Sequence, residues 1–377
     1  MAPSTTSRAW KDKILFTPGP LTTSRSVKQA MLQDLGSRDH AFIGIIKEVR
    51  ERLLGISGAD KNYEAILMQG SGTFSIEAVI SSTMPPAGKL LIIINGAYGK
   101  RMAKIAAVHK IPTVLVEGPE NLTPDLAAVE TALKADPAVS MVAVVHCETT
   151  TGIINPIREI GALAAKYGKK YFVDSMSILG AVTVDLAACH VDYIVSSSNK
   201  CVEGVPGFAF IVARRASLLE TRGWARTLSL DILDQLEGFE AGGQFRFTPP
   251  VHSLIAFHQA LLELEEEGGV AAREARYREN RDTCRAGMRE LGFREYLAEE
   301  HQGYIITSYR YPEDPKFNFE KFYNLLNERN FVIYPGKLSN APCFRVGHIG
   351  RIGKSDVLDL LAAIRDVSRM MGFNPGA

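Results

Sequence analysis

Tyr193-Ile-Val-Ser-Ser-Ser-Asn-Lys200-Cys-Val-Glu-Gly-Val-Pro-Gly207 is an apolar, strand-like run that ends in three serines and an asparagine. Lys200 follows, and then a turn rich in glycine and proline. A lysine just past a buried strand pays desolvation and tends to lose its charge. A neutral lysine is a nucleophile that can form an imine. Taken alone, a lysine in such a place is most often a solvated loop residue, so the meaning of Lys200 depends on what lies upstream.

Upstream, Lys170-Tyr-Phe-Val-Asp174 is a second strand-like run, and it ends in a carboxylate 26 residues before Lys200. That spacing suits one strand end, a short crossover and the next strand end, so both residues reach the same rim of a parallel sheet. Pyridoxal phosphate requires such a pair. The lysine holds its aldehyde as an imine, and the acid keeps the pyridine nitrogen protonated so that the ring accepts electrons. An isolated acid at a strand end is more often a helix cap or a metal ligand.

Other strand ends carry chemistry too. Ala65–Met68 runs into Gln69-Gly-Ser-Gly-Thr73 and then a helix through Ser82. Strand, glycine-rich turn and helix is a layout that binds phosphate through backbone N–H groups. The turn lacks a P-loop lysine, and Ser75 stands where a dinucleotide fingerprint has its third glycine. A ligand-free βα turn fits it equally well. Leu90–Ile94 empties into Asn95–Arg101, where Tyr98 is a candidate to stack on a flat ring or a core tyrosine. Ile111–Val116 and Val142–Val145 are further strands, with a helix between them at Pro124–Ala135. Val142–Val145 leads into His146-Cys-Glu-Thr-Thr-Thr-Gly152, with hydroxyl donors at the same rim. After a helix at Pro156–Tyr167 come the strands of Asp174, Lys200 and Phe208–Val212. This alternation predicts an α/β fold with a mostly parallel sheet and crossover helices. Ligands in such sheets bind outside the carboxyl ends of the strands.

Before the sheet lie a rigid turn, Phe16-Thr-Pro18-Gly19-Pro20, and two helices, Ser26–Leu35 and Phe42–Leu54. Between the helices, Arg38 is an anion-binding candidate. After the sheet, Gly242–Pro250 breaks the pattern, a helix covers His252–Glu267, and Glu265–Gly269 reads as a hinge. A smaller α+β unit follows, with helices at Ala271–Leu291, Phe317–Arg329 and from Lys354, and strands at Ile305–Tyr309 and Val332–Tyr334. The expected division is a tail at 1–14, a large domain at 15–268 and a small domain at 269–377. Arg345 stands inside the apolar run Phe344-Arg-Val-Gly347. A buried arginine calls for a partner, either a salt bridge or a carboxylate or phosphonate ligand held bidentately.

Of the 377 residues, 46% are apolar and 23% charged, and the formal net charge is +1. Such a balance favours neither nucleic acid nor an anionic membrane surface. The five cysteines are scattered without CxxC spacing, so neither a disulfide framework nor a zinc site is expected. A reducing, cytoplasmic setting is the simpler expectation. Met1–Lys13 is polar and unlike a secretory signal, and no apolar run is long enough to span a bilayer.

Together these residues resemble the class-V, fold-type I pyridoxal-phosphate aminotransferases from about Leu15 to Met371. The motifs that carry the resemblance are Thr17-Pro-Gly-Pro-Leu-Thr-Thr, Gln69-Gly-Ser-Gly-Thr-Phe, Asn95-Gly-Ala-Tyr-Gly-Lys-Arg, His146-Cys-Glu-Thr-Thr-Thr-Gly, Val173-Asp-Ser-Met-Ser, Asn199-Lys-Cys-Val-Glu-Gly-Val-Pro-Gly, Phe245-Arg-Phe-Thr-Pro-Pro and Tyr334-Pro-Gly-Lys-Leu. The resemblance implies a seven-stranded sheet flanked by helices. It implies Lys200 as the imine-forming lysine, Asp174 as partner of the ring nitrogen and Tyr98 as the stacking ring. Ser71, Gly72 and Thr73 would cradle the phosphate, joined by Thr248 from a second subunit. Asn199 and either Thr149 or Thr151 would complete the cofactor site. Arg345 would clamp a keto-acid carboxylate, with Pro18, Gly19 and Arg38 also facing substrate. The implied reaction passes the amino group of 2-aminoethylphosphonate to pyruvate in a cytoplasmic homodimer with shared active sites and no metal. A related alanine–glyoxylate or serine–pyruvate activity is the nearest alternative. A desulfurase-like enzyme and a non-catalytic scaffold of the same fold are more distant ones.

Overall fold

The long apolar runs are strands because both faces of a parallel sheet are covered, so no polar alternation is needed. In a computed structural model of the chain, residues 12–336, 338 and 341–376 are described. Most of the expected tail lies outside the described residues. The main sheet consists of β1 (Tyr63–Gln69), β2 (Lys89–Ile94), β3 (Thr113–Glu117), β4 (Val139–Val145), β5 (Lys170–Asp174), β6 (Tyr193–Ser197) and β7 (Phe208–Arg214). Its order is β1-β7-β6-β5-β4-β2-β3. The pairs from β6 across to β3 are parallel. β7 runs antiparallel to both β1 and β6, with Phe208 opposite Gln69 and Ala209 opposite Ser197. The sheet is therefore mostly parallel and seven-stranded, with one reversed strand that brings the ends of β1 and β6 to the start of β7.

The helix Gly72–Thr83 (α1) follows β1, and Ala97–Val108 (α2) follows β2. They point their N-termini at the rim where β5 and β6 end. One apolar core, from Phe42 to Leu261, fills both faces of the sheet. A helix at Ile232–Gly242, in a stretch for which the sequence predicted no element, adds Leu236 and Phe239 to it.

A second core gathers Phe293, Phe322, Phe344, Ile364 and Val367 between the helices Gly269–Glu290 (α3) and Lys354–Met371 (α4) and a three-stranded antiparallel sheet. That sheet is β8 (Ile306–Arg310), β9 (Tyr334–Pro335) and β10 (Cys343–Gly347), in the order β8-β10-β9. Phe16 is buried in this second core, and the short strand Ile14–Leu15 pairs with Phe331–Val332. Residues Ile14–Phe16 thus pack against the C-terminal part of the chain. No described helix is long and apolar enough to cross a membrane.

Candidate active site

Asp174 closes β5 and is 1% exposed. Its Oδ1 accepts the N–H of Met176 at 3.0 Å. Burial pushes its carboxyl up to about 7, and the nearby Glu148 adds to that rise. The Met176 N–H, Arg101 and Lys200 pull the other way.

Lys200 stands three residues beyond β6, half-buried beside the half-buried Asn199. Its Nζ donates to the Pro18 carbonyl at 2.8 Å. The next residue, Gly19, has φ +117°, and a Cβ there would fall 2.5 Å from the Cδ and Nζ of Lys200. Only glycine combines that conformation with so close an approach. The turn after Lys200 is tied to itself: the Glu203 N–H donates to the Lys200 carbonyl at 2.7 Å, and Gly204 N–H to Ser198 at 2.9 Å. Glu203 itself sits at φ 66°. A left-handed non-glycine residue costs on the order of 1–3 kcal/mol and persists where its surroundings hold it. Here α3 does the holding: Tyr277 OH and Arg276 Nη2 donate to the Glu203 carboxylate at 2.6 and 2.8 Å. Arg273 Nη1 donates to the Cys201 carbonyl at 2.8 Å.

Tyr98 lies in the first turn of α2. Glu148, fully buried, accepts the Tyr98 N–H at 3.1 Å and the hydroxyl and N–H of Thr150 at 2.5 and 3.2 Å. A carboxylate suits the positive end of a helix dipole. One turn on, Arg101 places its guanidinium 4.9 Å over the Tyr98 ring and donates from Nη1 to Thr73 Oγ1 at 3.2 Å. Ser71 is the N-cap of α1, but its hydroxyl bonds none of the helix N–H groups.

Arg345 is central in β10, opposite Ser308 and Tyr334, and 1% exposed. Its Nε donates to the Pro335 carbonyl at 3.0 Å and its Nη1 to the Thr149 carbonyl at 2.9 Å. Desolvation holds the guanidinium below its usual range, opposed by the side chain of Tyr98, which hydrogen-bonds to it. Among the described residues it makes no ion pair. Thr149 is buried beside it, whereas the Thr151 hydroxyl turns to the Glu148 carbonyl at 3.4 Å.

Two expected residues stand elsewhere. Arg38 and Thr248 are both exposed and line a separate cavity of about 360 Å³ with Ser37, Gln244 and Arg246. Its lining includes neither Lys200 nor Asp174. Gln69 Nε2 donates to the carbonyls of Phe247 and Thr248 at 2.9 and 3.3 Å, which fastens this loop to the end of β1.

The family model described as "Aminotransferase class-V" matches residues 23–351. The chain belongs to the class-V aminotransferase family. Curated relatives called 2-aminoethylphosphonate–pyruvate transaminase, from Salmonella schwarzengrund and Salmonella typhimurium, are each 48% identical over 94% of this chain and 97% of theirs. Among solved structures, ureidoglycine–glyoxylate aminotransferase from Bacillus subtilis superposes with a TM-score of 0.89 at 25% identity, over 97% of this chain and 95% of that one. An alanine–glyoxylate aminotransferase from a Nostoc species does so at 0.87 and 25% identity, with 96% of each chain covered.

For a class-V aminotransferase the implied cofactor is pyridoxal phosphate, and the residues on this rim fit it. At Gly72 a Cβ would fall 2.2 Å from the Met176 sulfur, so a larger residue would close the cradle at the start of α1. The Ser71 hydroxyl is uncommitted to the helix, and a buried carboxyl of high proton affinity faces the same rim as Lys200. Two residues on this rim, Glu148 and Arg101, were not singled out from the sequence. Arg101 carried a usable signal, since a residue three past Tyr98 on a helix shares its face. Glu148 carried none, because its partners are mainly backbone N–H groups.

Proposed function

We propose that the protein transfers the amino group of 2-aminoethylphosphonate to pyruvate, giving phosphonoacetaldehyde and L-alanine in two successive half-reactions. The observation that carries this reading is the 48% identity to transaminases of that name over 94% of the chain. Bound at the rim, pyridoxal phosphate would supply an aldehyde that takes up amino groups and a ring that accepts electrons.

The chain's own residues do the rest. Lys200 would hold the cofactor and, as a free amine, would move the proton at the substrate carbon. General acid–base transfer of this kind is worth roughly 10²–10⁴ in rate. The Pro18 carbonyl, 2.8 Å from Nζ, keeps the amine at that station. Asp174 holds the proton at the ring nitrogen, and its raised proton affinity suits a shared proton. Tyr98 covers one ring face, and Ser71, Gly72 and Thr73 hold the phosphate. Of the two threonines, Thr149 is the better placed toward the cofactor, since the Thr151 hydroxyl bonds within its own loop. Arg345 meets the carboxylate of pyruvate with its planar fork, in a dry setting where the pairing is strong. Thr248 and Arg38, in their own cavity, serve the site of a second copy in a homodimer.

A donor panel with pyruvate tests the reading. 2-Aminoethylphosphonate should support turnover far better than alanine or serine. Preference for alanine with glyoxylate, or serine with pyruvate, would transfer the protein to another branch of the family.

A further inference from the structure

Arg101 is the cation of this site to which the proposed function gives no task. It is half-buried, and among the described residues it makes no ion pair; its described hydrogen bond goes to a neutral hydroxyl, Thr73 Oγ1, at 3.2 Å. Burying a guanidinium without an anion is costly. Its position is shared by three parts of the site. Thr73 belongs to the phosphate cradle, the Tyr98 ring lies 4.9 Å below the guanidinium, and Asp174 is close enough to feel its charge. A guanidinium has five N–H donors in a fixed fork, and one is used on Thr73.

We propose that Arg101 is a binding residue for the phosphate monoester of the cofactor, reaching it alongside Thr73 while its guanidinium stays over the Tyr98 ring. The assignment rests on the pyridoxal phosphate reading above. It gives the cradle a full positive charge, where Ser71, Gly72 and Thr73 offer only neutral donors. A dianionic phosphate and a forked cation meet in two parallel, charge-assisted bonds. The cation–ring contact with Tyr98, 4.9 Å to the centroid, ties the guanidinium to the ring meant to cover the cofactor.

The test uses apoenzyme and compares two probes, pyridoxal phosphate and phosphate-free pyridoxal, by equilibrium dialysis. Arg101→Gln should weaken pyridoxal phosphate binding roughly 10- to 100-fold, the span of a lost charged hydrogen bond, and change pyridoxal binding less than about twofold. Arg101→Lys should recover part of the loss, as charge without the fork. Equal losses for both probes would overturn the assignment and make Arg101 a support for Tyr98 alone. So would unchanged affinity for pyridoxal phosphate. If Arg101→Gln does not fold, the ratio of the two affinities in Arg101→Lys decides, and an unchanged ratio overturns the assignment. If the wild-type apoenzyme itself does not prefer pyridoxal phosphate to pyridoxal, the cofactor reading falls and takes this one with it.

Discussion

Replacing Asp174 by asparagine keeps the side chain's shape and the oxygen that accepts the Met176 N–H. What it removes is a buried carboxyl whose proton affinity burial has pushed up to about 7. In the unfolded chain the same group titrates near its ordinary value of about 4, and one unit of difference corresponds to ~1.4 kcal/mol. The folded apoenzyme therefore holds this proton more tightly than the unfolded chain does. The associated stability is present in full below about pH 4, is lost as pH rises toward 7, and stays lost above it. Asparagine does not titrate, so the apo variant should gain on wild type across that window. From about pH 5 to pH 8 the gap should widen by about 3 kcal/mol and then level. Urea unfolding of both apoproteins across that range measures it. In holoenzyme the order should reverse, because a protonated ring nitrogen stabilises the wild-type carboxylate, and the variant should transaminate far more slowly. A gap that stays constant to within about 1 kcal/mol would refute the burial argument.

Borohydride reduction of the holoenzyme followed by peptide mapping should place the pyridoxyl group on Lys200, and a label on Lys169 or Lys337 would remove that residue from its role. Arg345→Lys keeps the charge and loses the fork, so rapid-mixing kinetics should show the pyruvate half-reaction impaired by about 1.5–3 kcal/mol, and the phosphonate half-reaction less if Arg38 shares that load. No loss in either half would make Arg345 a structural residue. Gly19→Ala places a methyl against the Lys200 amine and strains a positive φ, so covalent capture of pyridoxal phosphate should slow while inorganic phosphate binding holds. Capture at the wild-type rate would show that the Pro18–Gly19 turn does not set the lysine's position.

The strands and the Lys200–Asp174 pair were legible because continuous apolar runs such as Leu90–Ile94 and Val142–Val145 mark a sheet covered on both faces. Once the sheet is parallel, strand ends share a rim. The reversed direction of β7 was less visible, although the residues between Ser197 and Phe208 are too few for a crossover helix, and a parallel pair needs one. The helix Ile232–Gly242 was missed although its sequence carries a signal: Asp231 caps it, and Ile232, Leu233, Leu236 and Phe239 recur at helical spacing. Glu148 was hidden for a different reason. A buried acid that caps a helix from a neighbouring loop has no local pattern, since the helix N–H it accepts belongs to Tyr98, 50 positions away. The sequence left Thr149 and Thr151 as alternatives because nothing in it shows that the Thr151 hydroxyl already donates to the Glu148 carbonyl at 3.4 Å.

The reversal of β7 bears on how the chain can be re-engineered. The connection carrying Lys200 is stitched into the sheet on both sides, with Ser197 opposite Ala209 and Ser198 Oγ donating to the Val205 and Phe208 carbonyls at 2.6 and 3.0 Å. An added residue there must either break these ties or slip β7 by one, which would turn its core side chains to the other face. Loops after parallel strands run into helices and can lengthen at the helix entry, but this one has no such slack. The exposed Pro86–Ala87 turn between α1 and β2, at the opposite rim, is where a tag, an inserted domain or new chain termini would leave the lysine undisturbed.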